Sequence, residues 1–150
     1  MRDENLVGLW DSSPYDYGSM ESSWVCLRRD GTGWTAVANT GSAAVSQLTW
    51  DCSAEGEVEL RYTWTASGSW APGTPFILAE VDEEGPYDER VRTRYSVGTD
   101  MAPMADSPAT ALRLEESVEF TQRFALMTRD TDQWGAAPAP AVGDRPEPGA

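Results

Sequence analysis

Histidine and lysine are absent from this 150-residue chain, and cysteine occurs twice. Without histidine there is no Ser-His-Asp or Cys-His nucleophile system, and no His-ligated zinc or haem. The two cysteines, Cys26 and Cys52, do not make a zinc site by themselves and read as buried thiols. They could form a disulfide only if their strands were neighbours, and their spacing is too short for the inter-sheet bridge of an immunoglobulin domain. No run of about 18 apolar residues occurs, so no membrane-spanning helix is expected. The opening residues, Met1-Arg2-Asp3-Glu4-Asn5, carry no apolar stretch of signal-peptide length, and a cytoplasmic protein is the expectation. A glycine-rich phosphate loop is also missing; Gly31-Thr32-Gly33 reads as a hairpin turn.

Basic charge is scarce. All 11 basic residues are Arg, against 25 acidic ones, for a net charge of −14. Phosphate binding needs a clustered basic surface, so neither nucleic acid nor an anionic membrane is expected as a partner. The acidic exterior fits simple solubility or docking to a basic protein partner. The carboxylate pairs Glu83-Glu84, Glu115-Glu116 and Glu57/Glu59 fall at expected turns or on a polar strand face. General acid–base work requires an environment that shifts a carboxyl pKa, so no catalytic residue is assigned. The Asp-rich calcium loop pattern is missing, and no metal and no cofactor are expected.

What the chain has in quantity is two-residue alternation. In residues 57–65, Val58, Leu60, Tyr62 and Trp64 alternate with Glu57, Glu59, Arg61, Thr63 and Thr65, which gives a strand one apolar and one charged face. Strands are expected at 6–12, 22–29, 34–39, 45–52, 57–65, 76–82, 89–98, 110–115 and 118–128. Asp30-Gly31 marks a hairpin between the second and third, and a Gly56 turn joins the fourth and fifth. Residues 83–88 are expected to turn a further hairpin, and residues 66–75 to form a loop. Short links with no long crossover predict an all-β fold, a single antiparallel up-and-down β-barrel of about eight to ten strands, with a β-sandwich as the alternative. The barrel is expected to occupy residues 1–130. Residues 131–150, rich in Pro, Ala and Gly, read as a flexible tail.

By alternation, Trp34, Trp50, Tyr62, Trp64, Tyr95, Phe120 and Phe124 face inward, with polar Gln122 and Thr93 in the same register. In the second strand the pattern leaves two registers open: Trp24 and Cys26 inward, or Val25 and Leu27 inward. A barrel of about eight strands has room either for packed side chains or for one small ligand. Indoles, phenols and the Gln122 amide offer flat apolar walls with a few orienting polar groups. Trp34, Trp50, Tyr62, Trp64, Tyr95, Phe120, Gln122 and Phe124 are therefore the candidate ligand-binding residues.

Gly8-Leu9-Trp10 resembles the Gly-x-Trp signature that opens lipocalins and related small barrels. Thr99-Asp100 is similar to that family's second motif, with Met101 where its Tyr would stand. The family also places an Arg over the motif Trp, and here Arg123 or Arg129 could serve. The resemblance implies a barrel closed at the Trp10 end and open to a small hydrophobic or aromatic molecule at the other. A barrel-type cyclase or isomerase acting on a hydrophobic metabolite, and an acidic interaction or inhibitory module for a basic partner, are the alternatives.

Overall fold

The computed structural model describes residues 2–15, 21–39, 42–71, 74–101, 106–119 and 121–131. Eight strands follow in sequence: β1 (Gly8–Asp11), β2 (Ser22–Leu27), β3 (Thr32–Ala38), β4 (Ala43–Ala54), β5 (Glu57–Ala71), β6 (Thr74–Asp100), β7 (Ala109–Val118) and β8 (Thr121–Thr128). Each pairs antiparallel with the next and β8 returns to β1, so the sheet is a closed up-and-down barrel and not a sandwich. Short 3-10 turns at Glu4–Leu6 and Ser13–Tyr15 flank β1.

Local chemistry explains the turns. Between β2 and β3, Asp30 accepts hydrogen bonds from the Thr32 N–H (2.9 Å) and hydroxyl (2.6 Å), while Gly31 takes the φ of 90° that the turn requires. At the seam, a Cβ on Gly8 would lie 2.7 Å from Leu126 and 2.9 Å from the Thr128 carbonyl, so β1 and β8 can approach this closely only around a glycine.

Two expectations are corrected here. The stretch at 83–88 does not turn: β6 runs through it as one 27-residue strand, which reduces the expected nine strands to eight. Residues 66–71 continue β5 and residues 74–75 begin β6, so most of the expected loop is strand. Gly85 and Pro86 are absorbed because they sit beside a β-bulge, one of the places where a sheet tolerates proline.

The barrel interior is filled. Trp10, Val25, Leu27, Leu48, Trp50, Leu60, Tyr62, Leu112 and Phe124 are among its buried residues, with Val91, Tyr95, Val97 and Leu126 packed against them. The space enclosed among Leu6, Val25, Val58, Leu112 and their neighbours is only about 10 Å³, room for one water molecule at most. A second apolar cluster, including Leu9, Trp24, Cys26, Trp34 and Val45, occupies the opposite face of β1 to β5, with Leu78 and Val81 of β6 against it. β2 therefore adopts the register with Val25 and Leu27 inward. Cys26 and Cys52 lie in different clusters, and both are free thiols. Burial pushes the Cys26 thiol pKa up to about 12. Thr131 is buried, and the rest of the expected tail lies outside the described residues.

Candidate functional site

The two ends of the barrel differ in chemistry. At one end the Trp10 indole N–H donates to the Leu6 carbonyl (3.0 Å), and the Arg129 guanidinium lies 5.5 Å from the Trp10 ring. Arg129 also donates to the carbonyls of Asn5 and Val7, tying the segment before β1 to the end of β8. That end is sealed by packing and by a cation over an aromatic face.

The other end, the mouth, is polar and centres on the turn between β7 and β8. Glu119 sits there with φ of 51°, the one described non-glycine residue at positive φ. A bulky side chain in this region is strained, and such strain persists only where surrounding contacts enforce it. Three strands supply those contacts. The Glu119 Oε1 atom accepts from the Thr35 hydroxyl of β3 at 2.9 Å and from the Tyr62 hydroxyl of β5 at 3.0 Å. The Glu119 carbonyl accepts from the Ser23 hydroxyl of β2 at 2.8 Å. Ser46 and Thr65 share a further hydroxyl contact at 2.9 Å on the same inner face. Burial, and then the negative charge of Glu119, raise the Tyr62 pKa well above the ordinary phenol value, so this hydroxyl stays a neutral donor.

A bulge supplies the outer wall. Tyr62 pairs with Glu89 and Trp64 with Pro86, so Thr63 alone faces the two residues Tyr87 and Asp88. Bulges re-aim side chains. This one brings the Tyr87 ring edge-on to Tyr62, with centroids 5.8 Å apart and planes at 62°. The Tyr87 hydroxyl donates to the Glu89 carboxylate.

Beyond this point β6 and β7 separate, because their ladder runs only from Tyr95 opposite Leu114 to Asp100 opposite Ala109. A depression of about 520 Å³ is lined by Tyr62, Tyr87, Glu89, Val91, Ser117, Val118 and Glu119. Across the tyrosine pair lies a shallower one of about 300 Å³, bounded by Arg61, Thr63, Pro86 and Asp88. The larger hollow combines apolar walls with two carboxylates and falls in the volume range of small-molecule sites.

The candidate binding residues are not all brought together. Trp50, Tyr62 and Phe124 are buried in the barrel interior, and Tyr95 packs against it. Trp50 fills space at the sealed side, its indole N–H on the Arg28 carbonyl at 2.8 Å. Tyr95 donates to Asp3. Trp34 and Trp64 do not face inward. Trp34 pairs with Gln47 and Gln47 with Trp64, one step past the pair Leu48 and Tyr62, and the intervening bulge at Thr63 moves Trp64 to the other face. Gln122 is exposed near the β7–β8 turn, where its amide reaches the Glu115 carbonyl at 2.7 Å, so it is not an interior amide. Thr93 is buried as expected, bonded to the Glu116 N–H and the Arg94 carbonyl. Phe120 lies outside the described residues.

Of the motif residues, Gly8 and Trp10 stand at the sealed end with Arg129. Arg123 is exposed and paired in register with Arg113. Thr99 is exposed at the far end of β6, and Asp100 forms an ion pair with Arg113 at 2.9 Å, which holds its carboxyl below the usual range.

Tyr62 is the one candidate among the described residues that lines the mouth. Glu119, Tyr87, Glu89, Thr35 and Ser23 were not among the candidate binding residues. Alternation puts Glu119 on the polar face of the strand expected at 118–128, whereas β7 runs on to Val118 and the chain turns at Glu119, and no local signal shows that its side chain folds back. Among the described residues, no group of three or more Cys, Asp or Glu is placed to hold a metal ion. No described helix is long and apolar enough to cross a membrane, which says nothing of a barrel's strands.

Fold and site together define an eight-stranded antiparallel up-and-down barrel, packed within, sealed at Trp10 and polar at its mouth. No protein-family model, curated protein or solved structure matches the chain.

Proposed function

We propose that this chain is a lipocalin-like binding module that seats a small molecule at the barrel mouth, against Tyr62 and Tyr87. The observation that carries the reading is the contrast in volume. The apolar space among Leu6, Val25, Val58 and Leu112 inside the barrel encloses about 10 Å³, whereas the hollow between β6 and β7 offers about 520 Å³ bounded by two aromatic rings. The lipocalin-like character rests on Gly8-Leu9-Trp10 at the sealed end and on Arg129 over Trp10. Screening a mixed panel of apolar, aromatic and charged small molecules by ligand-observed NMR tests the function. Hits that lose binding in Tyr87→Ala and shift tyrosine resonances support it. An empty screen, or hits indifferent to Tyr87→Ala, would refute it.

A barrel-type cyclase or isomerase is the second reading, favoured by one observation: a carboxylate and a neutral phenol, Glu119 and Tyr62, share a hydrogen bond at the edge of the hollow. Such a pair can hold a donor and an acceptor against one substrate. Turnover of a screened ligand that disappears in Glu119→Gln supports this reading, and binding without turnover counts against it.

A further inference from the structure

We propose that the ligand of the mouth is an organic cation with an apolar or aromatic body, such as a primary arylalkylamine. The inference rests on the binding reading above and adds the ligand's chemical class.

The lining of the hollow sorts into four kinds of side chain. Tyr62 and Tyr87 present aromatic surface, Val91 and Val118 present apolar surface, Glu89 and Glu119 present carboxylates, and Ser117 adds one hydroxyl. No arginine is among its described lining residues; Arg61 lines the separate hollow across the tyrosine pair. Two negative charges in a hollow with low-dielectric walls focus a negative potential. That potential repels carboxylates and phosphates and draws in ammonium or guanidinium groups. Aromatic rings add attraction for the same sign of charge and none for an anion.

The polar groups are already oriented for this task. Thr35 and Tyr62 both spend their hydrogens on Glu119 Oε1, and Tyr87 spends its own on Glu89. At these three hydroxyls and two carboxylates a ligand meets oxygens that accept, and Ser117 is the one further polar side chain among the described lining residues, so the group the ligand must supply to the carboxylates is a donor. A neutral aromatic molecule would satisfy the apolar wall and leave the two carboxylates without a counter-charge.

The test compares three molecules with a similar phenyl body, phenethylamine, 2-phenylethanol and phenylacetate, by calorimetric titration into the full chain. Phenethylamine should bind about tenfold or more tightly than 2-phenylethanol, and phenylacetate should not bind measurably. Glu89→Gln and Glu119→Gln should each weaken the amine about three- to tenfold while leaving 2-phenylethanol unchanged. Glu89 lies on an exposed stretch of β6, so its variant is informative even where Glu119→Gln loosens the turn.

If the alcohol binds as tightly as the amine, or the carboxylate binds best, the cation inference falls while the mouth reading stands. If none of the three binds and the wider panel is also empty, both fall. A tetra-arginine peptide binding over about tenfold tighter than phenethylamine would replace the small molecule by a basic protein side chain as occupant.

Discussion

The sealed end and the mouth use the same barrel for opposite purposes. At Trp10 the sheet closes on a fully buried indole whose one polar atom is satisfied by Leu6, and the Arg129 cation covers the ring. At Glu119 the sheet holds a strained turn open to a hollow of about 520 Å³, with hydroxyls from two strands on its carboxylate and one from a third on its backbone carbonyl. Stability should therefore be concentrated at the first end. The second tolerates strain because neighbouring strands enforce it, as functional sites commonly do.

The largest expected effect separates the two ends directly. Trp10→Ala removes one of the two fully buried tryptophans among the described residues and should cost about 3–5 kcal/mol in urea unfolding. Tyr62→Phe at the mouth removes only a hydroxyl that bonds a carboxylate, for about 2 kcal/mol. A Tyr62→Phe cost matching that of Trp10→Ala would break the contrast.

The same substitution carries a pH signature. The Tyr62 pKa is raised in the folded state above its ordinary 10.0, by burial first and Glu119 second. Its contribution is thus fully present below about pH 10 and is lost as pH rises toward the folded value, because only the unfolded chain then releases this proton. Urea midpoints measured from pH 8 to pH 11 should decline less steeply in Tyr62→Phe than in the parent. Tyr95 at the sealed end, also raised by burial and then by its bond to Asp3, should keep part of that decline in place. Equal slopes in parent and variant would mean that Tyr62 ionises freely.

Much of the barrel was legible in the sequence, and far less of the mouth. Alternation in 57–65 placed Leu60 and Tyr62 inward because period two is a property of the backbone, independent of partners. It failed at Trp64 because a bulge adds residues without a local signature, so parity on one side of Thr63 says nothing about the other. Gly85-Pro86 read as a turn for the same reason, since composition alone does not distinguish a turn from a bulge in a long strand. Glu119 stayed hidden because its partners Thr35 and Tyr62 are 84 and 57 residues away in sequence.

Strain at Glu119 can be separated from its hydrogen bonds. Glu119→Ala and Glu119→Gly both lose the carboxylate, but only glycine adopts positive φ without a Cβ clash. The glycine variant should be the more stable of the pair by about 1 kcal/mol. Equal stabilities would show that the turn relaxes once the carboxylate is gone, and that the hydrogen bonds alone hold it left-handed.

The smallest effect is expected away from both ends, on the charged outer face of β5 and β6. Arg92 meets Glu59 at 3.1 Å, with 62% of its side chain exposed. Arg92→Ala should change stability by no more than about 0.5 kcal/mol, because solvent and salt screen an exposed pair and ordering two long side chains offsets much of the attraction. This variant sets the scale for the others. If its cost rivals that of Tyr62→Phe, the Glu119 cluster is an ordinary surface network, and what separates the mouth from the rest of the exterior is the hollow alone.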